Sequence, residues 1–456
     1  MSYSLKVTRL ILEVAGTRPR IVGSCDSWDG SDFAAYRERV RKPLLSLLAT
    51  CVTLPALAVA APASTIVPHR AVARPIAHTQ WDSAAELRSG TSRGVAVARQ
   101  RLVLDAPGAQ RAYAGRQYDA GRWVSPWTSP GFGLTQLVSS WSATTPGDSW
   151  IEVAVRGRAA DGSRSSWDVL GRWTSGDAFT RRTTVSGQSD DLASVNVDTW
   201  VASQAAGLTS YRLRVELMRR TGATTPSPSL DAIGAVASRL PSGPVATSRP
   251  GVARGVVLDV PRYSQMVHRG HYPRWGGGGE AWCSPTSTSM VLGYYDALPA
   301  ASTYAWVPSG HTDPWVDEAA RSTYDAAYEG TGNWPFNTAY AAPLAGHAFV
   351  TRLRSLREAE LFVAAEIPLV ASISFGSGEL SGAPISASNG HLVVIVGFRE
   401  NGDVVVNDPA ASTSAGVRRT YDRGQFENAW LPRSGGLVYV IRDDAHPLPA
   451  GAHTNW

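Results

Sequence analysis

The sequence predicts two domains: an all-β antiparallel sandwich, jelly-roll-like, followed by an α+β domain. Three observations predict this. From Val95 to about Leu240, short stretches alternate apolar and polar residues at period two, separated by turn dipeptides. Residues 237–254 are dense in Pro, Gly and Ser, the composition of a linker. Beyond them, helical patterns come first and apolar strand runs later, as in an α+β domain. A chain of 456 residues suits two or three domains. Its 18% charged residues and 43 glycines argue against a long helical or coiled-coil protein, and 9% aromatic residues argue against wholesale disorder.

Residues 1–63 read as an upstream extension followed by a secretory signal peptide at about 37–60 or 37–63. Arg37, Arg39, Arg41 and Lys42 precede an apolar run from Leu44 to Val59. The run ends in Ala58-Val59-Ala60 and Ala61-Pro62-Ala63, small residues spaced as at a cleavage site near Ala60 or Ala63. The run is short and interrupted by Pro55, so it predicts no stable membrane span. Because a signal peptide starts near its basic region, the natural start is expected close to Val40. The expected location is therefore extracellular.

Removal of this segment changes the chemistry available. The only lysines are Lys6 and Lys42, so a processed chain has no Walker A lysine, Schiff-base lysine or lysine general base. Residues 1–60 hold +3 of the formal +5, leaving +2 and no dense basic run, so no nucleic-acid partner is expected. Cys25 and Cys51 are lost as well, leaving Cys283 without an intramolecular disulfide partner.

Residues 64–94 are a polar linker or the edge of the first domain, which spans 95–236. Tyr211 to Leu217 alternates, and Ile151, Val153 and Val155 share one strand face with Trp150 on the other. Pro146-Gly147 and Asp161-Gly162 supply turns on either side of that strand. Trp123, Trp127, Trp141, Trp150, Trp167, Trp173 and Trp200 are expected mainly to fill the space between the sheets, a carbohydrate-binding or polymer-binding surface being the alternative use. The second domain spans 255–444, with a tail at 445–456. It opens with a strand at 256–261. Helices are predicted at Ser284–Asp296 and Leu356–Ala365, and strands at Leu369–Phe375, Leu392–Phe398, Val404–Asn407 and Gly436–Arg442.

The second domain holds the reactive constellation. Ser284 can cap a helix with Pro285 at its first position, which leaves Cys283 at the N-terminal end, where the helix dipole favours a thiolate. Gly276–Gly279 just before would leave the thiol reachable. His391 begins the apolar run of a strand buried on both faces, and Asp408 ends the next strand. The trio offers a nucleophile, a base and an orienting carboxylate. A two-residue turn at Asn401-Gly402 would pair Glu400 with Asp403 and Ile395 with Asp408. His391 and Asp408 would then share a face but lie ~13 Å out of register at ~3.3 Å per residue. A bulge, a different turn or a strand bend must close that gap.

Four segments carry a family resemblance: Val260-Pro261-Arg262-Tyr263-Ser264-Gln265, Trp282-Cys283-Ser284-Pro285-Thr286, Gly390 to Phe398, and Val406-Asn407-Asp408-Pro409. In this order they resemble the C39-like cysteine peptidases of bacterial exported proteins, across residues 255–444. The resemblance implies a papain-like fold with Cys283 as nucleophile, His391 as base, Asp408 as orienter and Gln265 as oxyanion-hole donor. It implies a peptide or protein substrate, cell-wall peptide included, and no cofactor. A cell-wall amidase or acyltransferase would use the same groups. The rival class is a non-catalytic extracellular binding protein with a decayed peptidase fold. Two departures stand out: Trp-Cys-Ser-Pro replaces the family's Asp-Cys-Gly-Pro, and an insertion at 268–279 puts Gln265 18 residues before Cys283. That insertion is expected to fold out of the way. No ATPase segment accompanies the domain.

Two other motifs compete poorly. Gly90-Thr91-Ser92-Arg93-Gly94 matches G-x-S-x-G but lacks the strand-to-helix setting of a nucleophile elbow. His268 and His271, with His311 and Asp313 further on, lack the spacing of a zinc motif, so no metal is expected.

Overall fold

The computed structural model describes residues 73–456 except 224 and 226; the basic cluster and apolar run at 37–63 lie outside the described residues. The chain is mostly β. It begins with β1 (Ile76–Trp81), α1 (Ala84–Ser89), β2 (Thr91–Arg93), β3 (Val95–Ala98), β4 (Arg101–Leu104), β5 (Ala109–Tyr113) and β6 (Arg116–Val124). It continues through β7 (Gln136–Thr144), β8 (Ser149–Arg158), β9 (Asp168–Trp173), β10 (Ala193–Asn196), β11 (Thr199–Ala202), β12 (Ser210–Arg220) and β13 (Ser229–Ser238). These strands form two antiparallel sheets. One runs β10-β11-β7-β13-β4-β3 with β1 on β13, the other β2-β6-β12-β8-β9 with β5 on β6. Their facing sides share one core, where Ile151, Val153, Leu213 and Val215 of the second sheet meet Trp141 and Ile233 of the first. The polar stretch before Val95 supplies β1, which pairs with β13 along its whole length, and α1, closed by a Ser83–Glu86 capping box.

The period-two reading sorts the tryptophans. Trp123, Trp141, Trp173 and Trp200 lie in the shared core. Trp150 points the other way, into a small cluster with Tyr118, Ala120 and Met218 on the back of the second sheet. Trp127 and Trp167 remain half-buried at the surface. Arg158 and Arg212 lie 4.2 and 4.8 Å over Trp127, and Arg214 and Arg156 4.8 and 5.1 Å over Trp167. Arg156 and Arg212 are direct cross-strand partners. Like charges placed so are unfavourable, and the indole faces offset the repulsion through cation–π attraction. Guanidinium groups thus lie over both rings.

The second region contains α2 (Cys283–Tyr294), α3 (Pro314–Thr323), α4 (Trp334–Ala345), β14 (His347–Arg352), α5 (Leu356–Ala364), β15 (Leu369–Phe375), β16 (Ser388–Phe398), β17 (Val404–Asn407), β18 (Arg418–Tyr421), α6 (Arg423–Trp430) and β19 (Leu437–Arg442). Its six strands form one antiparallel sheet in the order β14-β19-β15-β16-β17-β18. β15, β16 and β19 are buried nearly throughout, as continuous apolar runs require. α3, α4, α6, β14 and β18 add to the elements that the sequence pattern marks. α4 is apolar or small on all sides and contains Pro343, so it shows no helical period. β18 is a four-residue polar edge strand. Among the described residues, no helix is long and apolar enough to cross a membrane.

The linker composition suggests separable bodies, but the two regions share a seam. Phe336 of α4 inserts into the core of the first region, with ring centroids 6.1 Å from Trp141 and 5.5 Å from Trp173. Gly171 makes room: a β-carbon there would lie 3.1 Å from the Phe336 ring. The Trp334 N–H donates to Asp198 at 3.1 Å, and Arg182 donates to the Arg321 carbonyl at 2.7 Å. The linker is bound too, with Ser248 donating to Glu427 of α6 through both N–H and hydroxyl. In the tail, the Thr454 carbonyl accepts the His78 N–H at 2.7 Å. Phe336→Ala is therefore expected to destabilise the chain by about 3–5 kcal/mol. Urea unfolding followed separately in the two regions should then split into two transitions; one unchanged transition would show that the seam carries no stability.

Candidate functional site

The site starts at the N-terminus of α2. Cys283 is its first residue and is 5% exposed. Trp282 occupies the cap position without a side-chain hydrogen bond, so Ser284 is not the expected cap. Ser284 lies inside the first turn, its hydroxyl 2.9 Å from the Tyr439 hydroxyl of β19. The chain enters the helix through three glycines with positive φ, Gly276, Gly277 and Gly278 at 71°, 101° and 109°, a path open to glycine and rarely to other residues. Gly279 follows, so close to His268 that a β-carbon would sit 1.9 Å from its carbonyl oxygen. One turn into the helix, the Ser287 hydroxyl donates to the Leu392 carbonyl at 3.0 Å. That bond fastens α2 to β16 one helical turn beyond Cys283 and one residue beyond His391.

The β16–β17 hairpin brings His391 to Asp408. The turn is wider than two residues: Arg399 N–H donates to the Asp403 carbonyl at 2.8 Å, and the first ladder pair is Phe398 with Val404. A bulge between Ile395 and Gly397 then sets Ile395 opposite Val406, not Asp408. Together these shift the register by two residues. Asp408 remains on the His391 face and stands only ~7 Å from the directly opposed position. The side chains span the rest, with His391 Nε2 2.7 Å from Asp408 Oδ1.

Both side chains are fully buried. Burial pushes the Asp408 carboxyl up, but the His391 charge and hydrogen bonds from His391, Tyr421 and the Ala410 N–H outweigh it and hold the group below the ordinary carboxylate range. Tyr421 Oη donates to Asp408 Oδ2 at 2.7 Å. Burial first, and then the Asp408 charge, push the Tyr421 hydroxyl far up, so it stays a donor. Tyr421 is the residue the sequence did not reveal: it ends a short polar strand without a motif. Asn407 faces elsewhere. It donates to the Pro261 carbonyl at 2.9 Å and accepts from Arg418 at 2.6 Å, tying β17 to the segment before Gln265.

Gln265 opens a one-turn 3₁₀ helix ending at His268 and is buried. Its N–H donates to the Pro409 carbonyl at 2.9 Å, which binds it to the residue after Asp408. Its side-chain amide donates to the Glu280 carbonyl at 2.5 Å. A cleft of 290 Å³ runs past it, lined also by Met266, Glu280, Pro384, Ile385, Ala410, Ser412 and Arg419. Cys283 and His391 are not among its lining residues. The insertion at 268–279 does not fold away from the site. Trp275 packs with Trp282, Val316 and Ala320, and its carbonyl accepts the Trp282 indole N–H at 2.7 Å. The same loop brings His268 and His271 against Asp317 of α3, the one group among the described residues with a metal-ligand donor set.

A thiol on a helix N-terminus, a carboxylate-held imidazole and a buried glutamine amide are thus built from the four segments that carry the resemblance. Residues 77–238 match the family model of the peptidase C39 N-terminal domain, and residues 257–438 match that of the Peptidase_C39 like family. The chain belongs to the C39-like peptidase family. No curated protein matches it. The matched N-terminal domain covers both sheets of the first region, so in this C39-like protein the Phe336 seam joins two family-matched domains.

The buried carboxylate has a pH consequence. Its folded pKa lies below its unfolded value of about 3.9, so its contribution to stability is fully present above that pH and is lost as pH falls through the lower folded value. Tyr421→Phe removes one donor and should raise the folded value. The acid limb of the stability profile should then begin at a higher pH than in the parent, as read from urea midpoints between about pH 2 and pH 7. Superimposable acid limbs would show that Tyr421 does not stabilise the carboxylate.

Proposed function

We propose that the chain is a cysteine hydrolase that cleaves peptide or related amide bonds through an acyl-enzyme on Cys283. The observation that carries this reading is the buried Tyr421–Asp408–His391 hydrogen-bond chain beside the helix that starts with Cys283. Nε2 of His391 is committed to Asp408, which leaves the base function to the Nδ1 edge. A thiol at a helix N-terminus, served by an imidazole on a neighbouring antiparallel strand, is a papain-like arrangement. The family membership supports it.

The steps follow from these positions. His391 takes the Cys283 proton, and the thiolate attacks the substrate carbonyl carbon. The oxyanion is held by the Cys283 backbone N–H and by the second N–H of the Gln265 amide, the first being used on Glu280. Collapse of the tetrahedral adduct expels the amine, which takes the proton from the imidazolium. Water, deprotonated by His391, then attacks the thioester, releases the acid and restores the thiol. Asp408 holds the ring orientation and stabilises the imidazolium without taking the proton. Substrates lie in the cleft past Gln265 and Ala410. We further propose export, on the basic cluster, apolar run and Ala-x-Ala sites at 37–63. Mass spectrometry of protein recovered from the culture medium should find an N-terminus between Ala61 and Ser64; an intact Met1 on protein inside the cell would refute export.

Unequal effects test the assignment. Cys283→Ala should abolish turnover with the fold retained, and His391→Ala should be nearly as damaging. Asp408→Asn should hurt less, and Gln265→Ala should cost on the order of 10²–10³ in kcat. Asn407→Ala should leave the pH–rate profile unchanged, since its side chain holds Pro261 and Arg418. Silence of Asp408→Asn with loss in Asn407→Ala would move the orienting role by one residue. Iodoacetamide near pH 6 separates the hydrolase from a non-catalytic protein: rapid alkylation of Cys283 is expected, and an unreactive thiol in folded protein would favour the binding protein.

A further inference from the structure

We propose that His268, His271 and Asp317 form a binding site for a zinc-class divalent cation. One ligand atom of each lies within 4.8 Å of the other two. Two imidazole nitrogens and a carboxylate oxygen are donors that suit Zn²⁺. Both rings turn Nδ1 to the same carboxylate, His268 at 3.0 Å from Oδ2 and His271 at 2.8 Å from Oδ1. The ring centroids are 5.4 Å apart with planes at 88°. Imidazoles bound through ~2.05 Å bonds put their centroids ~3.1 Å from the ion, so near-tetrahedral angles separate them by roughly 5 Å. The observed spacing is that of two rings converging on one point.

The surroundings favour a built site over a chance cluster. The His268 and Asp317 side chains are wholly enclosed, while His271 is 20% exposed, so the opening toward solvent can admit a water as fourth ligand. Among the described residues Nε2 of His268 has no hydrogen-bond partner, and the polar contact of this enclosed ring is made by Nδ1 to the shared carboxylate. The His271 N–H donates to the His268 carbonyl at 2.9 Å, which fixes the i, i+3 pair. His311 stacks on His271 at 4.0 Å and 24°. One carboxylate and two neutral imidazoles leave a bound dication at net +1. Binding exchanges the two hydrogen bonds on Asp317 for bonds to the ion, with each imidazole proton carried on the far nitrogen.

An ion here would pin the 268–279 insertion to α3. It would also brace His268 against Gly279, between Gln265 and Cys283 in the chain. The site stands on its own geometry and does not depend on the hydrolase reading.

The test uses the full chain carrying Cys283→Ala, so that the thiol cannot hold metal. Zn²⁺ is titrated into chelator-treated protein against a chromophoric chelator. One equivalent should bind and raise the Tm. Binding should weaken by roughly 100-fold or more in Asp317→Asn and His271→Ala and persist in the His347→Ala control. Two results would overturn the proposal: no stoichiometric Zn²⁺ binding at micromolar metal, or full binding retained in a folded Asp317→Asn protein. Should Asp317→Asn fail to fold, His271→Ala, at the partly exposed ring, decides in the same way.

Discussion

A single buried hydrogen bond, His391 Nε2 to Asp408 Oδ1, sets the terms for the rest of this site. An ionised carboxylate without solvent is tolerable only when its lone pairs are answered. Here they are answered by an imidazole, a phenol and a backbone N–H. Each donor comes from a different place: β16, the end of β18 and the turn after β17. The register of three neighbouring strands is therefore tied to one charge. Loss of one partner from such a buried pair typically costs about 3–5 kcal/mol, mostly because the other charge is stranded. The bulge after Ile395 is part of the same constraint, since without it the two side chains could not meet.

The remaining parts of the site are held by backbone contacts radiating from that pair. Pro409, next to Asp408, accepts the Gln265 N–H, and the Ala411 carbonyl accepts the Ser264 hydroxyl. The Leu392 carbonyl, next to His391, accepts the Ser287 hydroxyl of α2. Gln265, His391 and Asp408 each bond to another of the four segments directly or through the next residue, and the helix that carries Cys283 is fastened to β16 one turn further on. Positioning of this kind rests on fixed backbone and tolerates a departure such as Trp282-Cys283-Ser284, because Ser284 packs on Tyr439 behind the helix.

The sequence was legible where a period or a local motif carried the information. Strand alternation placed Ile151, Val153 and Val155 inward with Trp150 outward, and the apolar run after His391 read directly as β16. It was illegible where a single residue decided the outcome. Neither the wider turn nor the bulge between Ile395 and Gly397 leaves a periodic trace, and each moves the hairpin register by one residue. Tyr421 acts from a strand of four residues, too short to show alternation. Ser284 looks like a cap, yet the helix begins one residue earlier under tertiary constraint. His268 and His271 show only i, i+3 spacing in the sequence; their shared carboxylate lies 46 residues beyond His271, on α3. A papain-like fold and the chemical roles of these residues are what the resemblance implies; no pattern in the residues gives them.

The insertion and the seam work to the same physical end. Both place large aromatic side chains where a small, Ser- and Thr-rich helix could not fill space itself. α2 buries Ser284, Thr286, Ser287, Thr288 and Ser289, residues that add little apolar area. The side of its start is closed by Trp275 and Trp282 against α3, and α4, which packs on α2, is anchored in turn through Phe336 between Trp141 and Trp173. The N-terminal sheets therefore act as a rigid support for the second region. None of their described residues is among those that line the cleft beside Gln265. α4 packs on α2, and α2 packs on β16 and is fastened to it by the Ser287–Leu392 hydrogen bond, so the sandwich core is linked through packed elements to both the thiol and the His391–Asp408 pair.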